Sequence, residues 1–161
     1  MGRYINPFTD WGFKRLFGQE FSKDLLINFL NDLFEGEFQI KDVTFKDKEQ
    51  LGDTNDLRGC IFDIYCVTDD DKHFIVEMQN RWVPFFVNRF IYLSLPFFDK
   101  SEEECETGFE KWIYVLKYME VLERLPFTAQ KKIFDHLAKL ADVRCLSSEE
   151  QEKYDESIKA V

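Results

Sequence analysis

The chain has 161 residues, with 31 acidic against 21 basic side chains and a formal net charge of −10 at pH 7. That length fits one domain, or one domain with a helical appendage, and the acidic balance argues against strong nonspecific attraction to nucleic acid, which rests on Lys and Arg displacing counterions. Aromatic residues make up 17% of the chain, with 18 Phe, so it is neither disordered nor low in complexity, and Phe supplies the bulk of a core.

In chain order, Asn6-Pro7-Phe8-Thr9-Asp10 reads as a loop leading into a helix from Asp10 to Phe17, with Thr9 as cap and Gly18 at its end. Ser22 is expected to cap a second helix, whose core face is Leu25, Leu26, Phe29, Leu30, Leu33 and Phe34 and which Gly36 can terminate. Phe38 to Gln50 alternates around Ile40, Val43 and Phe45 as an edge strand, and Leu51 to Leu57 reads as a turn or loop.

A hairpin follows: Gly59 to Val67, a turn at Thr68-Asp69-Asp70-Asp71-Lys72, then His73 to Gln79. Folding it about Asp70 pairs Val67 with His73, Tyr65 with Ile75 and Asp63 with Glu77. Side chains alternate faces, so both acids and Gln79 share one. Opposed like charges destabilise a sheet, and two of them inside apolar strands invite a divalent cation held by oxygen.

Pro84 suits the first turn of a helix predicted over Phe85 to Phe98 and packed on more than one face. After Lys100 an acidic stretch, Ser101-Glu102-Glu103-Glu104, gives way to sequence that reads as helix throughout. One stripe is Phe109, Trp112, Ile113, Leu116 and Met119, ended by Pro126 and read as packing rather than base stacking. Thr128 is expected to cap a helix carrying Ile133, Phe134, Leu137 and Leu140, and Ser147 or Ser148 opens a polar last helix by a capping-box pattern.

Cys60, Cys66, Cys105 and Cys145 form no CxxC pair, and buried free thiols in a reducing compartment are expected over disulfides or zinc. His73 and His136 stand in no HExxH or nucleophilic motif and read as surface or strand residues. Met1 to Asn6 is short and mixed rather than a signal peptide, and no apolar run approaches the ~20 residues of a membrane span. The expected location is the cytoplasm, away from the membrane.

Several of these segments together resemble a known family. The stretches Asn6-Pro7-Phe8-Thr9-Asp10-x-x-Phe13-Lys14-x-x-Phe17-Gly18, Phe62-Asp63, Val76-Glu77-Met78-Gln79 and Arg89-x-x-Tyr92 resemble the PD-(D/E)XK nuclease family transposases, a mobile-element group similar to bacterial recombination-promoting nucleases. The resemblance implies an α/β (α+β) fold, a restriction-endonuclease-like core in which helices flank a small mixed sheet. That core is expected over 1–98, with a helical C-terminal region, 99–161, packed on it. It also implies that Asp63 and Glu77 bind metal and that Gln79 stands where the family usually holds its catalytic Lys, a variant common there. Asp10, Lys14, Arg89 and Tyr92 are further implied site residues. The implied activity is Mg²⁺- or Mn²⁺-dependent hydrolysis of DNA phosphodiester bonds.

The chain departs from that pattern after the Arg-x-x-Tyr helix. Phe97-Phe98-Asp99-Lys100 passes almost at once into the acidic stretch, so the fourth core strand is expected to be missing through an internal deletion. An edge left open in this way calls for a covering helix or a second copy of the chain, a homodimer. The alternative function is an inactive, internally deleted relative serving as an interaction or oligomerisation module.

Overall fold

The computed structural model describes residues 2–46, 64–77, 91 and 93–160. Asp63, Gln79, Arg89, Tyr92, Cys60, Pro84, the loop predicted at Leu51 to Leu57 and most of the helix predicted over Phe85 to Phe98 lie outside the described residues. The architecture is mixed α+β, five α-helices and a three-stranded antiparallel sheet among the described residues.

Helix α1 spans Asp10–Phe17, and the Thr9 hydroxyl accepts from the Gly12 amide, as the sequence predicts. Gly18 closes it at a close approach: a Cβ there would lie 3.4 Å from Ile64 Cγ1 and 3.0 Å from the Lys14 carbonyl oxygen. Helix α2, Lys23–Leu33, follows a 3-10 turn. Ser22 precedes it but does not cap it. Its buried hydroxyl donates instead to the carbonyls of Arg15 and Gln19, locking α1 to α2. Gly36, at φ 83°, turns the chain out of α2 in the left-handed region that favours glycine.

Strand β1 is Val43–Phe45 and, among the described residues, lies at the sheet edge. The shortness has a visible cause just before it, because the Asn31 side chain takes both the amide (2.7 Å) and the carbonyl (2.9 Å) of Ile40, groups a longer strand would need for its ladder. Strands β2, Ile64–Thr68, and β3, His73–Val76, form the predicted hairpin. Its turn is held by the Thr68 hydroxyl, which bonds Asp70 and receives the Lys72 amide, with Asp71 at φ 62°.

The segment at 93–98 corrects the end of the predicted helix. Leu95–Phe97 is one 3-10 turn, because Pro96 lacks the amide an α-helix needs and biases Leu95 away from α geometry. Helix α3, Gly108–Tyr118, starts with a capping box between Thr107 and Glu110 and ends well before Pro126. Thr128 does not cap the next helix; it sits in a turn, and α4, Lys132–Ala141, begins after Lys131. Helix α5, Ser148–Lys159, opens on the predicted capping box of Ser147 and Glu150.

The core joins all these pieces. Trp112 of α3 is fully buried, its ring 6.0 Å from Phe17 of α1, 5.7 Å from Phe29 of α2 and 5.1 Å from Phe134 of α4, and its indole N–H donates to Asn28. The stripe predicted around Trp112 is therefore packing. The sheet joins the core through Phe74, which meets Phe34 and Phe38.

The N-terminal strip is pinned to the C-terminal helices. Ile5 donates to the Ala141 carbonyl and Val143 to that of Arg3, and the Asp142 carboxylate accepts from Arg144 twice through its side chain and from Arg3 at 3.3 Å. These arginines hold the Asp142 carboxyl well below the usual carboxylate range. A depressed folded-state pKa stabilises the fold above the unfolded value, about 3.9, and the contribution is lost as pH falls through the folded value. Asp142→Asn is expected to cost about 1–2 kcal/mol near neutral pH, modest because both arginines are partly exposed. In thermal melts, the gap between variant and parent should close progressively below about pH 4.

Among the described cysteines, Cys66 and Cys105 are free and buried and Cys145 is free and exposed. Burial pushes the Cys66 thiol up to about 11. Thiol labelling of the folded protein should therefore modify Cys145 well before Cys66, read by peptide mass spectrometry; equal rates would mean that β2 opens readily.

Candidate active site

The hairpin determines what faces where. The observed register, Val67 opposite His73 and Tyr65 opposite Ile75, is the one predicted from the sequence. Ile64, Cys66 and Thr68 are buried on the inner face, while His73, Ile75 and Glu77 are exposed. Glu77, one residue past β3, thus continues the outward face at the open end of the hairpin.

Two other polar side chains occupy that face. The Tyr65 hydroxyl lies 2.6 Å from His73 Nδ1, and the two rings stack 5.8 Å apart. Asp71 stands 3.9 Å from His73 Nε2. A tyrosine hydroxyl that donates to Nδ1 goes with the tautomer that carries its proton on Nε2, the nitrogen nearer Asp71. Strand alternation signals this pair in the sequence, because Tyr65 and His73 have the same parity as Glu77, but the pairing itself requires the register.

Asp10 and Lys14 lie together elsewhere. Their ion pair, at 2.6 Å, runs along α1 and lines a groove bounded by α1, the turn after it and α5. Helix α1 meets the hairpin at Gly18, one helical turn beyond Lys14, which abuts the buried side chain of Ile64 on the inner face, opposite the face that carries Glu77. Among the described residues no three His, Cys, Asp or Glu side chains are grouped to hold a metal ion. Glu77 offers carboxylate oxygens at an exposed position, and Asp63 and Gln79 would add further oxygen donors; an all-oxygen set of this kind suits Mg²⁺ or Mn²⁺ rather than zinc.

With the hairpin and its outward carboxylate placed, comparison of the chain with known protein families is decisive. The model of the PD-(D/E)XK nuclease family transposases matches residues 7–94 and again 87–161. The chain belongs to the PD-(D/E)XK nuclease family transposases. The matched regions reach the C-terminal helices, beyond the segments that carry the resemblance in the sequence, and they overlap at 87–94 with no unmatched chain between them. Searches of curated proteins and of solved structures gave no match.

For a PD-(D/E)XK nuclease family member, the α+β arrangement with a helix preceding an antiparallel hairpin is consistent with a nuclease-like core. A nuclease-type function follows from the membership, with DNA as the substrate it implies, and PD-(D/E)XK nucleases generally use divalent metals. Among the described residues no helix is long and apolar enough to cross a membrane.

Proposed function

We propose that the protein is a divalent-metal-dependent DNA endonuclease whose site is built on the outward face of the β2–β3 hairpin. The observation that supports this reading is the register of the described hairpin, Ile64 opposite Val76 and Tyr65 opposite Ile75, which is the one in which the sequence pairs Asp63 with Glu77. In this reading Asp63 and Glu77 hold the metal, Mg²⁺ or Mn²⁺, and Gln79, two residues on from Glu77, shares their face. When bound, the metal would lower the pKa of water and offset charge on the phosphate. Gln79 orients the attacking water by hydrogen bonding but carries no positive charge. Arg89 and Tyr92 belong to the proposed site as phosphate-side residues, with Lys14 of α1 as a further one. Asp10, held to Lys14, acts through that lysine. The protein acts in the cytoplasm, where thiols such as Cys145 stay reduced.

Supercoiled plasmid incubated with the protein and Mg²⁺ should be converted to nicked and linear forms, and EDTA should stop the conversion. Plasmid that stays supercoiled with both Mg²⁺ and Mn²⁺ would defeat the proposal.

A further inference from the structure

The groove beside α1 is unlike the rest of this acidic chain. Three cations, Lys14, Arg15 and Lys153, line it with Asp10 and Glu150, and Glu149 pairs with Lys153, so charge here is balanced whereas the whole chain has 21 basic and 31 acidic residues. Arg15 is nearly buried, donates to the Leu140 carbonyl and pairs with Glu150. Its guanidinium lies between two rings, 5.2 Å from Trp11 and 5.6 Å from Phe21. The Arg15 guanidinium thus lies over the Phe21 ring, and Phe21 is 53% exposed at the groove.

We infer that this groove holds one nucleotide of an unpaired DNA strand, the base stacked on Phe21 and the phosphate between Lys14 and Lys153. Base stacking on exposed aromatic rings beside cations is how single strands are held without sequence preference. The volume, about 290 Å³, is just below the range of small-ligand sites and suits a single nucleotide unit. Lys14 and Lys153 are already paired with Asp10 and Glu149, but these pairs are exposed and held weakly, so a phosphate displaces them readily. This inference rests on the proposal that DNA is the substrate.

The test is fluorescence anisotropy with a labelled oligothymidylate of about a dozen nucleotides, in EDTA and at about 50 mM salt so that the metal site does not contribute. Phe21→Ala should weaken binding about tenfold, and Phe21→Trp should restore it. Lys153→Ala should lower the slope of log affinity against log salt by about 0.7. On an oligonucleotide carrying abasic sites, the Phe21→Ala effect should disappear. A parent that does not bind, or variants that bind like the parent while keeping its circular dichroism, would overturn the inference. Plasmid nicking separates the two proposals: nicking with unaltered oligonucleotide binding in the Phe21 and Lys153 variants removes the groove alone. Absent nicking with the Phe21 effect intact removes the nuclease reading alone.

Discussion

Glu77→Gln is expected to lower Mg²⁺-dependent plasmid cleavage by about 10²–10³-fold, the scale seen when one group that stabilises transition-state charge is lost. The substitution keeps the size and planarity of the side chain and removes its charge. Glu77 is exposed at the end of β3, so the fold should be untouched and the melting temperature unchanged. Asp63→Ala should be at least as severe, since it removes the opposed carboxylate from the proposed metal site. Because the proposed site needs both acids to hold one ion, the double variant should be hardly worse than either single one. Cleavage by Glu77→Gln within a few-fold of the parent would exclude Glu77 from the metal site.

Trp112→Ala should be the most damaging single change to the fold, costing about 3–5 kcal/mol. The indole fills the junction of four helices, contacting Phe17, Phe29 and Phe134 from its own position on α3. Its removal leaves a cavity that no single helix can collapse into, and it strips Asn28 of the donor it accepts from. For a chain of this length the loss corresponds to a fall in melting temperature of about 6–20 °C. Trp112→Phe should recover part of it, keeping ring contacts but not the hydrogen bond. A loss under about 1 kcal/mol for Trp112→Ala would mean that the four helices are not held together at this point.

The hairpin could be read from the sequence because it needs only local information. Apolar residues alternate on both sides of a short polar turn, and Thr68 supplies the side-chain bonds that close it, so the register of Val67 with His73 follows from counting. The Ser147 and Glu150 capping box is equally local. Where contacts outside an element's own pattern decide, residue patterns mislead. Ser22 looks like a cap but spends its hydroxyl on Arg15 and Gln19, and β1 is cut short by an amide from α2. Pro96 was visible in the sequence, and its effect on the predicted helix through Phe98 is the ordinary one of a missing donor. The Asp142 network joins residues 139 apart, and no spacing rule points to it. Of the candidate site, the described residues contain Glu77, Asp10 and Lys14. The sequence places Asp10 and Lys14 on one helix, as observed, but it cannot show that they line a groove shared with α5.

In the proposed site Asp63 and Glu77 together hold a divalent ion. Crystals soaked in Mn²⁺ and measured at the manganese absorption edge test it directly. One anomalous peak is expected between the Asp63 and Glu77 carboxylates, at about 2.0–2.2 Å from oxygen, as for an octahedral ion of this size. A peak elsewhere, or none at Glu77 in a well-ordered crystal, would contradict it.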